Sequence, residues 1–181
     1  MPSDFDNVAT DPTEINVMTM LPQQYAAAGI TFQRKTGAVQ PCPDGGELPS
    51  VADNLREYGC TTQVVGSYLD SAEQIQVSVW VVPLPDAVKA SGIYSTFMGS
   101  GNEYGWGAWC PKTGTGSQLC HEQWGDATYS GWLGHCHRYL ARALALYVDL
   151  RSGSAAQTAL DSAASAATTA VGANNIPIAR C

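Results

Sequence analysis

Charge is scarce in this chain. Asp, Glu, Lys and Arg make up 14% of it, against about 25% in an average soluble protein, and lysine occurs only as Lys35, Lys89 and Lys112. The arginines form no basic stripe and the formal net charge is -7, so a phosphate backbone is repelled and nucleic acid is excluded as a partner. No apolar run approaches the 18 or so residues that a membrane-spanning helix needs. The start, Met1-Pro2-Ser3-Asp4, lacks the basic and apolar stretches of a secretory leader, so an exported chain of this kind would owe its leader or anchor to a preceding segment. A Gly-x-Ser-x-Gly elbow is missing, and the stretch Met98-Gly99-Ser100-Gly101-Asn102 lacks the strand-turn-helix setting that such an elbow requires. No Cys-x-x-Cys pair occurs either.

Cysteine is nevertheless present six times, as Cys42, Cys60, Cys110, Cys120, Cys136 and Cys181. An even count at wide intervals reads as a disulfide framework in a secreted or cell-surface protein. The spacing favours Cys42 with Cys60 and Cys110 with Cys120, leaving Cys136 with Cys181 by elimination; the alternative for Cys181 is a cross-link between two chains. With 181 residues the chain is long enough to bury a core of its own.

Residues 1–16 carry Asp4, Asp6, Asp11 and Glu14 among polar residues without apolar periodicity, the pattern of a disordered stub or linker. The folded unit is expected to span 17–181 as one domain. A helix is expected from Ser50, with Val51, Leu55 and Tyr58 on one face and Gly59 as its stop. Two strands follow, Thr61 to Asp70 and Gln74 to Val82, the second alternating strictly in Ile75, Val77, Val79 and Val81. Asp86 caps a helix reaching Gly99, with Ala87, Ala90, Tyr94, Phe97 and Met98 on one face. Thr128 to His137 and Tyr139 to Leu150 are read as strands, although the second has helical propensity. An Ala-rich helix runs from Ser154 to about Val171, with Gly172 as its stop. This order predicts an α+β fold, an antiparallel sheet with helices packed mainly on one face.

Between residues 99 and 134 lie half of the eighteen glycines and four of the five tryptophans. The composition predicts short strands around a loop stapled by Cys110 and Cys120, presenting Tyr104, Trp106, Trp109 and Trp124, with Tyr129 and Trp132 nearby, as an aromatic platform for a protein, peptide or glycan. The competing reading puts these rings in the core. His121, His135 and His137 fall close together, and on a strand His135 and His137 would share a face as metal ligands; polar surface is the plainer reading, and no cofactor is expected. Glu122, Asp126 and Asp149 are the carboxylates available for glycoside cleavage, but any acidic chain offers such pairs.

The run LREYGCTTQVVGSYLD from Leu55 to Asp70, the strand Val77 to Val82, the helix opening at Asp86 and the stretch Gly134-His135-Cys136-His137-Arg138-Tyr139-Leu140 resemble uncharacterised exported domains of actinobacteria. More distantly, the layout is similar to the extracellular sensor domain of mycobacterial receptor kinases, a disulfide-bonded α+β fold with a cleft. The first resemblance implies a location outside the cytoplasm and a membrane or lipid tether, and carries no catalytic residues. The function expected is binding or sensing at the cell surface without catalysis. The alternatives are a secreted hydrolase of cell-envelope polymers and a structural module of a surface assembly.

Overall fold

Three strands are buried along almost their whole length, and that burial dictates the architecture. In the computed structural model, which describes residues 3–100 and 105–181, β3 (Thr62–Asp70), β4 (Ile75–Pro83) and β6 (Tyr139–Tyr147) contain no exposed residue. They form the middle of a six-stranded antiparallel sheet with the order β1-β2-β3-β4-β6-β5. Here β1 is Gln24–Ala27, β2 is Ile30–Pro41 and β5 is Tyr129–Cys136.

A sheet whose central strands are buried on both faces must be covered on both. Against one face, where Val64, Tyr68, Val77, Val79, Val81, Ala143 and Ala145 point, pack α4 (Ser154–Ala170) through Leu160, Ala163, Ala164 and Ala167 and the short α1 (Val17–Met20) through Met20. Against the other, where Val65, Trp80, Val82, Leu140 and Leu144 point, pack α2 (Pro49–Glu57) through Val51 and Leu55 and α3 (Ala87–Ser100) through Ala90, Ile93 and Phe97. The α+β class and the antiparallel sheet are as expected. The helices, expected mainly on one face, divide between the two, because Val65, Trp80 and Val82 need cover as much as their neighbours in sequence do. The sheet curls around α4, which touches both edge strands: Tyr25 of β1 donates its hydroxyl to Ala163 O at 3.1 Å, and Ser130 of β5 donates to Asp161 at 2.6 Å.

Local signals explain most boundaries. Asp70 accepts from the amides of Gln74 (2.7 Å) and Ile75 (2.8 Å), closing the β3–β4 hairpin, and Asp86 caps α3 through the Lys89 amide at 2.8 Å. Gly59 (φ 85°) and Gly172 (φ 64°) follow α2 and α4 in the left-handed conformation that ends helices. The start of α2 differs from expectation: the helix begins at Pro49 with Leu48 as its N-cap residue, so Ser50 lies inside the first turn. β6 is a strand despite its helix formers, since it lies between β4 and β5 and both of its ladders are filled. At Gly66 a Cβ would lie 2.6 Å from Leu21 Cδ1, so the bare backbone is what lets α1's end approach β3.

Two expectations are corrected. Residues 3–16 are docked and not a disordered stub. Ser3 and Asp6 form a capping box around a 3-10 turn, Phe5 enters the core, and Asn7 bridges to Asp86. Their acids read as solvated because their partners are distant in sequence: Asp6 binds His137 at 2.7 Å, and the buried Asp11 binds Arg138 at 2.7 Å and the Tyr139 hydroxyl. The segment 105–128 contains no strand, only a 3-10 turn at Ser117–Cys120. Gly107, Gly114, Gly116 and Gly125 all have positive φ, a conformation incompatible with a pleated ladder.

The cysteines are joined as Cys42–Cys60, Cys110–Cys120 and Cys136–Cys181, with Cα separations of 5.5, 6.0 and 5.9 Å, and none is free.

Candidate functional site

The tryptophans of the glycine-rich segment turn mostly inward. Trp106 is 2% exposed and packs edge-on against Trp80 (6.0 Å between ring centres) and Phe97 (5.7 Å). It belongs to the core, where it fills the space between α3 and the sheet, and not to a binding platform. Trp109 is half-buried; its amide donates to Ser78 Oγ at 2.9 Å and its carbonyl accepts from the same hydroxyl at 2.9 Å. Trp124, also half-buried, donates its indole N–H to Leu119 O at 2.9 Å and lies 5.9 Å from the Tyr129 ring. Tyr104 lies outside the described residues. The segment thus covers a sheet face on which Gln63, Ser67, Gln76, Ser78 and Arg142 are fully buried, with the Arg142 guanidinium 5.0 Å from the Trp80 ring.

The histidines are not brought together. β5 ends at Cys136, and His137 sits in the turn with φ 55°, so the shared face expected of His135 and His137 does not form. His137 faces Asp6, whose carboxyl is held below its usual range first by that hydrogen bond and then by the Ser3 amide. His135 packs on the Tyr94 ring (4.9 Å), and burial lowers its pKa. His121 is exposed, one residue past the loop stapled by Cys110 and Cys120. The sulfurs beside His137, those of Cys136 and Cys181, form a disulfide and offer no thiolate to a metal.

Of the carboxylates, Glu122 and Asp126 are exposed. Asp149 is chelated by Arg151 (2.7 to 3.0 Å), whose hydrogen bonds hold its pKa down.

A cavity of about 670 Å³ opens along β5, between Tyr94 and Met98 of α3 and Gln157 and Asp161 of α4, with Ala127, Thr128 and Tyr129 to Leu133 along its length. Three large apolar side chains that are exposed to water converge there: Met98 (51%), Tyr129 (40%) and Trp132 (42%). The polar side is organised by Asp161, whose Oδ1 accepts from Ser130 Oγ (2.6 Å) and Gln157 Nε2 (2.7 Å), while Gln157 also reaches Tyr129 O at 3.4 Å. A smaller cavity of about 430 Å³ shares Trp132 and Leu133 and continues past His135 toward Thr168 and Cys181. Aromatic rings beside fixed acceptors suit noncovalent recognition.

Sequence reasoning named Tyr129 and Trp132 among the aromatics but set Tyr94 and Met98 on a buried helical stripe, and it passed over Gln157 and Asp161. Gly131 and Gly134, two glycines within one strand, were the available signal, since such glycines mark close approach of another group to the backbone.

No family model matches the chain, and neither the curated proteins nor the solved structures contain a significant match to it.

Proposed function

We propose that the protein is an extracytoplasmic binding domain of sensor type, secreted or held at the cell surface, whose ligand sits in the cavity between α3, β5 and α4. The observation that carries this reading is the convergence of Met98, Tyr129 and Trp132 on one cavity of about 670 Å³, a volume within the usual range of ligand pockets. The other large exposed apolar residues, Val8, Met18, Val39, Leu48, Val88 and Ile178, line no part of this cavity. Export is supported by the pairing of all six cysteines. Among the described residues no helix is long and apolar enough to cross a membrane.

The test is a screen of the purified, oxidised protein against arrayed glycans and peptides, repeated with Tyr129→Ala, Trp132→Ala and the remote control Val88→Ala. Binders are expected that lose about tenfold or more in affinity with the first two variants and nothing with the third. Binders indifferent to Tyr129 and Trp132 would place the site elsewhere.

A further inference from the structure

β5 is the outermost strand on its side of the sheet, so one row of its backbone groups faces away from β6. The Tyr129 carbonyl identifies that row, because it accepts from Gln157 of α4 and so points outward. The Thr128 amide one residue earlier points the other way, to Arg151 O at 3.2 Å. Alternation along an antiparallel ladder then turns the N–H and C=O of Gly131, Leu133 and His135 outward as well. Among the described residues, none of these six groups has a partner on that side. Edge strands that are not meant to pair are blunted by shortness, lysine or proline. β5 runs Tyr-Ser-Gly-Trp-Leu-Gly-His-Cys for eight residues and carries none of these devices.

Resting on the binding-domain reading above, we propose that this edge accepts an extended peptide segment of a partner protein as a seventh strand, with a Lys or Arg side chain of the peptide placed at Asp161. A peptide matches the row of outward groups because its own donors and acceptors recur every two residues, about 6.8 Å; a glycan has no such repeat of paired N–H and C=O groups. From Gly131 to His135 the row spans about 13 Å, room for a partner strand of about five residues. Tyr94 and Met98 on one side and Gln157 on the other confine the peptide to the edge. The charge preference follows from Asp161, which accepts two neutral donors and, among the described residues, pairs with no Lys or Arg, in a chain of net charge -7. Strand addition of this kind draws affinity from main-chain hydrogen bonds and selectivity from alternate side chains.

The experiment pans a library of random linear peptides on the oxidised protein and follows amide hydrogen exchange with the best synthetic peptide bound. The expected result is enrichment of β-branched sequences carrying Lys or Arg, with about tenfold slower exchange at Gly131, Leu133 and His135 and none at Trp132 or Gly134, whose amides already bond to β6. Gly131→Pro removes an outward donor without touching the ladder and should weaken binding about tenfold; Asp161→Asn should erase the preference for basic peptides. N-methylation of alternate peptide residues gives an independent readout on the unaltered protein, with one set abolishing binding and the other tolerated. Peptides or glycans that bind through Tyr129 and Trp132 without protecting the three amides would overturn strand addition while leaving the cavity reading intact. Protection of those amides by a second copy of the chain, seen as a dimer by light scattering, would overturn the peptide occupant. A protein that enriches nothing and stays monomeric would sink both.

Discussion

At one edge of the sheet β1 is only four residues long, and its one aromatic side chain is used internally: Tyr25 stacks on Phe32 at 5.0 Å and donates to α4. At the other edge β5 runs for eight residues, exposes Tyr129 and Trp132, and opens onto a cavity. A short edge offers little to pair with, while a long one is a template. The two also differ in how they are held. The far end of β5 is tied by Cys136–Cys181, by His137 with Asp6, and by Asp11 with Arg138 and Tyr139. An edge that is open and yet anchored has the property a binding strand needs, since ordering done in advance is not lost again on association.

The sharpest way to test the contrast is to separate interior from rim. Trp106→Ala should cost up to roughly 5 kcal/mol in urea unfolding, as expected for a large ring removed from the core. Next in size is the anchor of β5. Cys136→Ser with Cys181→Ser releases a loop closed over 45 residues and should cost about 4 kcal/mol on the chain-entropy model, read from the same unfolding curve; a loss below about 1 kcal/mol would mean that the strand is held by other contacts.

Asp11→Ala should cost about 3 kcal/mol, because it leaves Arg138 buried without its carboxylate. Burial pushes the Asp11 carboxyl up, but hydrogen bonds from Thr13, Tyr139 and Arg138 outweigh it, and its pKa is lowered in the folded protein. The unfolded state therefore binds the proton more tightly. Asp11 contributes its full stability above the unfolded value near 4 and loses it as pH falls through the folded value. Wild type should lose more stability than Asp11→Asn as the pH falls below about 4, and parallel curves would remove Asp11 from the acid response. The smallest effect belongs to the rim: Trp132→Ala should change stability by under about 0.5 kcal/mol, and a loss of several kcal/mol would show that β5's exposed ring is structural.

Much of the fold could be read locally. Whereas β6, rich in helix formers, is a strand through its neighbours, the hairpin from Thr62 to Pro83 and the last helix announce themselves through alternation, apolar periodicity and glycine stops. β1 and β2 did not, because β2 carries no clean alternation: only Phe32 is buried along its twelve residues. The site was legible in part. Glycine and tryptophan together marked the stretch that contains Tyr129 and Trp132, yet they drew attention to Trp106, which composition alone does not distinguish from Trp132. Both are tryptophans among glycines; one meets Trp80 and Phe97, the other meets water.

By itself, then, the sequence determined the α+β class, the disulfide framework and the positions of most helices and central strands. The elements depend on patterns of apolar side chains and turn residues written within a few residues of one another, and the disulfide framework on the even count of six cysteines. Only the tertiary structure decided that residues 3–16 are docked, that the helices cover both faces and that β5 is an edge. Each of these depends on partners far apart in the chain: Asp11 with Arg138, Trp80 with Phe97 and Trp106, and above all β6 inserted between β4 and β5. Had β5 paired with β4 instead, its outward row would be filled. The same eight residues would then form an interior strand with nothing left to bind.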